Sequence, residues 1–355
     1  MDAWNGSKAN LLAVVRLKRN RTDGQLAATL LGHRYLNQTN LEDGRLFRDA
    51  RGRVFLYLSV PMGRYGGARA SVNVVHRIYV NCTKAASIAC DARMGPARLL
   101  TYMGSLAWDK NWVPWNGTSL MAYSHYGTLG PHSVFNWTSY REPVPHTGFD
   151  YVANSTTLFS RFKTTYGSLV HLSGGTPAIL EPGGQSYLAI GHVRVHPGCL
   201  HPAAIPGLSE LLGPAVRTNC AHLLKLPTEA KESIPFHSFA FMGPGNRPLK
   251  HYHVDYSFFI YRFSATPPFE LTHMSHGILP PSPGHFGITF PIGLERFGSD
   301  YVIAYGDADQ ASKLMVLKRG DVERLLVPIN LMERLVRSYS ICTLPFPNTN
   351  ITGSK

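Results

Sequence analysis

Leu41-Glu42-Asp43-Gly44-Arg45-Leu46-Phe47 runs into Arg53-Val54-Phe55-Leu56-Tyr57-Leu58-Ser59-Val60. Two adjacent carboxylates and an arginine precede an apolar run, and Gly52-Arg53 breaks the segment into two short strands joined by a tight turn. The acids then stand where one strand ends or another begins. In a β-propeller such strand ends, when nearest the axis, line the central pocket. From these three residues alone, an acid pair followed by Arg is usually a surface salt bridge, and it is the rest of the chain that argues against that reading.

Outward from this stretch, apolar runs recur at short spacing. Asn10 to Leu17 reads as a strand, followed by a basic loop, Arg16-Leu17-Lys18-Arg19-Asn20-Arg21, within a polar loop reaching Gly32. Ser71 to Val80 is a strand rich in β-branched residues. Ser119 to Tyr123 and Ser133 to Trp137 read as a pair, and Ser186 to Val195 follows the turn Pro182-Gly183-Gly184. Tyr256 to Phe263, Gly287 to Phe290, Tyr301 to Tyr305 and Leu314 to Leu317 complete the series. The segment from 197 to 232 reads as a loop insertion with one helical piece, and Asp321 to Leu326 as a short C-terminal helix capped by Asp321. Many short strands, turn signals and few helices mean an all-β sandwich, barrel or propeller.

Composition agrees. The chain has 355 residues, 16% charged, with 33 Gly and 25 Pro. That balance suits one large all-β domain over 1–355. Net charge is +13 and the isoelectric point about 9.6. The basic residues are scattered, so a diffusely positive surface is expected and no nucleic-acid partner. No apolar run approaches the ~18 residues of a membrane span, and the N-terminus carries no signal-peptide pattern.

Eight Asn-X-Ser/Thr sequons nevertheless begin at Asn5, Asn20, Asn37, Asn81, Asn116, Asn136, Asn154 and Asn350, among 16 asparagines. Chance would give about two. They point to the secretory lumen, Golgi or extracellular, for a chain whose anchor or signal lies outside this sequence. Five cysteines fit either two disulfides, Cys82–Cys90 and Cys199–Cys220 with Cys342 left over, or five unpaired thiols. No spacing suggests zinc or another metal.

Polar or Gly-rich clusters sit at strand edges along the chain: Glu42 to Leu46, Asp109-Lys110-Asn111-Trp112-Val113-Pro114, Ser173-Gly174-Gly175-Thr176, Gly191-His192, Tyr252-His253, Phe290-Pro291-Ile292-Gly293-Leu294 and Tyr305 to Asp309. In this order they resemble the motifs of the five-bladed β-propeller family of family-130 glycoside phosphorylases and hydrolases, with its glycosyltransferase-associated relatives. The resemblance is strongest over 10–327. It implies a five-bladed propeller, and an enzyme that forms or breaks glycosidic bonds on an oligosaccharide or glycan.

The resemblance also implies roles. Asp43 stands where the family has its general acid. A leaving-group oxygen must be protonated as the glycosidic bond breaks, and a carboxyl with a burial-raised pKa can do that. Glu42 and Asp43, as neighbours on a strand, are expected to face opposite ways, with Arg45 on the Asp43 face. Arg45, Lys110, His192 and His253 are the candidates for binding inorganic phosphate or the diphosphate of a nucleotide sugar, the two possible co-substrates. Asn111, Thr176 and Tyr252 complete the substrate-binding set with Asp309, whose commoner role is to tie strand ends. Trp112 is either a sugar-stacking platform or a blade-packing indole. Gly174-Gly175 either lets the backbone approach a ligand or makes a turn. Gly44 for Pro, Asp109 for Glu, Ser173 for Arg and a larger Ile292 depart from the family pattern and weaken the case for phosphate. Two alternatives to a transferase or phosphorylase stand beside it: a non-catalytic glycan-binding propeller, and a glycoside hydrolase with a second acid such as Asp109 or Asp309.

Overall fold

The computed structural model describes residues 9–20, 26–39, 41–65, 68–83, 89–100, 110–125, 128–139, 150–153, 157–161, 170–195, 255–275, 277–278, 289–307, 311–335 and 340–341. Their secondary structure is almost entirely strand, as the turn-punctuated apolar runs dictate. No helix among the described residues is long and apolar enough to cross a membrane.

The opening stretch builds the first blade. β3 (Glu42–Arg48), β4 (Val54–Tyr65), β5 (Ala68–Thr83) and β6 (Ala89–Leu100) form an antiparallel meander in that order. Asp49 fixes its first turn. Its Oδ1 accepts the N–H groups of Arg51 and Arg53, each at 2.9 Å, and Gly52 takes the left-handed φ of 72° the turn needs. Burial pushes the Asp49 carboxyl up, but the bonds from the Arg53 side chain and from both N–H groups prevail and hold it below the ordinary range.

The second blade is β7 (Val113–Pro114), β8 (Leu120–His125), β9 (Thr128–Asn136) and β10 (Tyr151–Ala153), with β8 and β9 the pair expected from sequence. The third holds β11 (Val170–Ser173), β13 (Ser186–Val195), β14 (Asp255–Ser264) and β15 (Leu271–Ser275). Short β12 (Ile179–Leu180) joins β13, and β20 (Leu326–Pro328) returns to β15. The fourth is β17 (Thr289–Phe297), β18 (Asp300–Asp307) and β19 (Ala311–Leu317).

Apolar seams hold neighbouring blades together. Phe47, Tyr57 and Val75 of the first blade pack on Trp112, Met121, Phe135 and Trp137 of the second. Val113, Trp115 and Val134 pack on Ala189, Phe259 and Phe263 of the third. Ile190, Phe258 and Ile260 pack on Leu294, Tyr301 and Ile303 of the fourth. Burying each such side chain is worth about 1.5–3 kcal/mol. The third seam also carries a partly buried ion pair. Arg262 donates to both oxygens of Glu181 at 2.6 and 2.9 Å, and Tyr301 of the fourth blade donates to Glu181 at 3.3 Å.

The ring closes between the fourth blade and the first. Arg48 of β3 donates to Glu295 of β17 at 2.9 Å, while its N–H donates to Asn116 beside β7 at 2.8 Å. Among the described residues the propeller-like arrangement therefore has four blades, which corrects the expectation of five. The physical reason is the direct meeting of β3 and β17, with no other described sheet between them. A two-stranded ribbon, β1 (Ala9–Arg19) with β2 (Leu26–Thr39), packs instead against the outer part of the first blade. Leu12 joins Leu56, Leu58 and Val74 there, and Arg19 reaches Asp300 of the fourth blade at 2.9 Å.

The ribbon corrects a second expectation, since the polar loop to Gly32 is largely β2, and Arg16 to Arg19 of the basic loop lie in β1. The C-terminal helix spans Arg319–Leu325 and buries Val322 and Leu325. Its N-cap is Lys318, with Asp321 inside the first turn, so Asp321 is not the cap. A second short helix, Ile329–Leu335, follows. Cys82 and Cys90 form a disulfide between β5 and β6, paired in register. The insertion at 197–232, with Cys199, Cys220 and Cys342, lies outside the described residues.

Candidate functional site

The register of β3 against β4 pairs Glu42 with Ser59 and Arg45 with Tyr57, so Asp43 and Gly44 together oppose Leu58. This is a β-bulge, and it breaks the alternation of faces. Asp43 sits at φ 56°, a left-handed conformation that Asp tolerates better than most residues. A Cβ at Gly44 would stand 3.2 Å from the Leu58 side chain, so the second bulge residue has little room.

As a result the neighbouring acids do not face opposite ways. Both reach the Lys110 ammonium, Asp43 Oδ2 at 3.1 Å and Glu42 Oε2 at 3.4 Å. The expectation of opposed faces fails because it takes the strand as regular. Side-chain exposure is graded across the cluster: 39% for Glu42, 20% for Lys110 and 14% for Asp43.

Beneath the cluster lies Arg45, fully buried. Its Nη1 donates to the carbonyl of Asp43 at 2.8 Å and its Nη2 to Oδ1 of Asn111 at 3.0 Å, while Nε donates to the carbonyl of Gly175. The guanidinium lies over the rings of Tyr57 and Phe290, each 5.5 Å from the ring centroid. Asp43 belongs to the first blade, Asn111 leads into the second, Gly175 follows β11 of the third, and Phe290 is on β17 of the fourth. One side chain thus touches all four blades.

Burial lowers the proton affinity of Arg45, and the Asp43 carboxylate opposes that shift. Burial likewise pushes the Tyr57 and Tyr261 phenols well above their usual range, against the pull of the Arg45 charge. Asn111, like Asp43, is left-handed, at φ 70°. Asp43 and Asn111, the residue after Lys110, are therefore both in an unusual backbone state, and both are bonded to Arg45.

The other expected site residues divide. Trp112 is 1% exposed and packs at 5.3 Å on both Tyr123 and Phe135, the blade-packing role of its two readings. Thr176 is buried, its Oγ1 accepting the N–H of Ile190 at 3.0 Å. His192 is buried with its ring 4.6 Å from Phe290, one side chain removed from Arg45. A Cβ on Gly174 would meet the Asn111 carbonyl at 2.4 Å, and one on Gly175 the Ile190 carbonyl at 2.4 Å, so the backbone that this glycine pair admits is the protein's own. Tyr252, His253, Asp309 and Asp109 lie outside the described residues.

Tyr57, Tyr261 and Phe290 complete the Arg45 environment with the Gly175 carbonyl, and these three were not among the expected site residues. Phe290 carries a signal in its Phe-Pro-x-Gly-Leu motif; Tyr57 and Tyr261 sit inside apolar strands and carry none. Among the described residues no group of three or more His, Cys, Asp or Glu stands together as a metal site would require.

No family model matches the chain, and no curated protein matches it. Among solved structures, a GDP-Man-dependent mannosyltransferase from Leishmania mexicana aligns at 10% identity and TM-score 0.39, covering 88% of this chain and 81% of that one. A mannose phosphorylase from the same organism, in complex with phosphate ion, aligns at 10% identity and TM-score 0.37, over 92% and 83%. A glycosyl hydrolase from Bacteroides ovatus aligns at 10% identity and TM-score 0.38, over 88% and 81%. Likenesses this distant decide neither fold nor chemistry, which rest on the residues themselves.

Proposed function

We propose that this protein forms or breaks glycosidic bonds, with Asp43 as general acid/base. The observation that carries the reading is the contact of Asp43 with Lys110 at 3.1 Å, both side chains partly exposed and set over a buried Arg45 where the blades meet. A carboxyl at such a position can exchange a proton with a leaving or attacking sugar hydroxyl. An ammonium beside it can take a phosphate oxygen, from inorganic phosphate or from the diphosphate of a nucleotide sugar. The Lys110 cation beside Asp43 supports a transferase or phosphorylase, which handles a phosphate, whereas a hydrolase would use a second acid. Arg45, with three backbone or side-chain acceptors inside the protein, acts as a positioning residue in this scheme and leaves anion binding to Lys110. Asn111 positions Lys110 from the neighbouring residue, and Thr176 and His192 shape the wall behind Phe290.

The sequons, together with the Cys82–Cys90 disulfide, support work in an oxidising secretory lumen or outside the cell. A non-catalytic glycan-binding propeller is the second reading. It is favoured by the same contact, because Lys110 occupies the Asp43 oxygen that an acid/base must turn toward a sugar.

Incubation with nucleotide sugars and, separately, with phosphate plus mannosides separates the readings. Turnover by the wild type that is lost in Asp43→Asn is expected. Turnover undamaged by that substitution removes Asp43 from the mechanism, and no turnover with retained glycan binding favours the second reading.

A further inference from the structure

We infer that Asn81 carries an N-linked glycan, an inference that rests on the secretory reading above but not on any catalytic role. Four of the eight sequons begin at an asparagine whose side chain is described: Asn20, Asn81, Asn116 and Asn136. Three of these are engaged by the fold. Asn116 accepts the Arg48 N–H at 2.8 Å at a blade seam and is only partly exposed. Asn136 accepts both the N–H and the hydroxyl of Thr138, at 3.0 and 2.7 Å. Asn20 also has a partner.

Asn81 differs. It is exposed near the outer end of β5, and no described residue bonds its side-chain amide. Its cross-strand neighbour Asp91 does not compete for it, since Asp91 is taken by Arg93 at 2.8 Å and Arg34 at 3.2 Å. Asn81 lies on the end of β5 that runs past β4 and pairs only with β6, the last strand of the first blade. The next residue, Cys82, is disulfide-bonded to Cys90. Three consecutive residues, Asn81-Cys82-Thr83, therefore hold both an exposed acceptor amide and a bond of the oxidising compartment, where the two chemistries occur together.

The step balances with a lipid-pyrophosphate oligosaccharide as donor. Asn81 Nδ2 loses one proton and bonds the anomeric carbon; the bond from that carbon to the pyrophosphate oxygen breaks, and the lipid pyrophosphate leaves with the electron pair.

The test is peptide mass spectrometry on the full chain purified from cells that make it, with and without endoglycosidase. The Asn81 peptide is expected to carry a glycan. Asn81→Gln and Thr83→Ala each lose the mass of one glycan, and Cys82→Ser, which keeps the sequon, retains it. These readouts do not depend on the variants folding, because the wild-type peptide alone decides occupancy. An unmodified Asn81 beside modified Asn20 or Asn37 overturns the site and leaves the compartment standing. Eight unmodified sequons overturn both, and neither result bears on the Asp43 experiment.

Discussion

Arg45 donates through Nη2 to the side-chain oxygen of Asn111 at 3.0 Å, across the seam between the first and second blades. With its bonds to Asp43 and Gly175 this makes it the one described side chain on which four blades converge. The guanidinium is a planar fork, and lysine cannot reproduce three separate directions from one ammonium. Arg45→Lys therefore leaves at least two buried acceptors without a donor, at roughly 1–3 kcal/mol each. A loss of about 3–5 kcal/mol in a denaturant titration is expected. A loss below about 1 kcal/mol would mean the hub is dispensable.

The Lys110 contacts answer to a different balance. The pair with Asp43 and Glu42 is partly solvated, and such pairs contribute about 0–1 kcal/mol. Lys110→Met should leave the denaturation midpoint nearly unchanged. If Lys110 holds a phosphate or diphosphate oxygen, the same substitution raises KM for that co-substrate by about 10-fold or more, the equivalent of one charge-assisted hydrogen bond. A large stability loss with unaltered KM would assign Lys110 to the fold alone.

His132 sets a pH dependence of folding. It is fully buried beside Trp115 and Phe263, with Nδ1 2.9 Å from the Phe269 carbonyl, and burial lowers its pKa from 6.5 to about 4. Between those values the unfolded chain holds the proton and the folded protein does not. Stability is therefore full above about pH 6.5 and falls as the pH drops toward 4, by about 3 kcal/mol for this group. His132→Gln, which keeps an amide donor for the carbonyl, should flatten the slope of unfolding free energy across that window. A slope unchanged in the variant would place the titration elsewhere. Asp49 acts lower: its depressed carboxyl stabilises the fold above its unfolded pKa, about 3.9, and that contribution is lost as the pH falls below it.

Much of this architecture was legible in the chain. Runs such as Val54 to Val60 and Ser186 to Val195 alternate or carry β-branched residues between Gly and Pro turns, so the meanders announce themselves. The motifs single out Asp43 and Lys110, and the fold brings the two side chains into contact. Three features were not legible. The count of blades depends on Arg48 meeting Glu295, 247 residues away, and no local pattern encodes that closure. The strand β2 carries Ala27-Ala28-Thr29-Leu30-Leu31-Gly32, which has no period of two, and it becomes a strand by pairing with β1. The bulge at Asp43-Gly44 leaves only a glycine as its trace, and it reversed the expected facing of Glu42.

The glycine pair after β11 bears on how the ring was built. Gly175 places its Cα so that an added Cβ would stand 2.4 Å from the Ile190 carbonyl and 2.9 Å from Pro291 on β17 of the fourth blade. Real Cβ atoms do not come that close, and a backbone carbonyl held in a ladder cannot yield cheaply. Its own carbonyl meanwhile accepts from Arg45, so any shift also pulls on the hub. Gly175→Ala is expected to cost about 2 kcal/mol or more, in the range of an overpacked core. Gly306 on β18 is the control, since a Cβ there meets nothing within 4 Å; Gly306→Ala should stay within about 0.5 kcal/mol of wild type. Equal effects of the two substitutions in thermal denaturation would contradict the close seam. A selective Gly175 effect on stability, present without any ligand, would assign the pair to holding the blades together rather than to admitting a substrate.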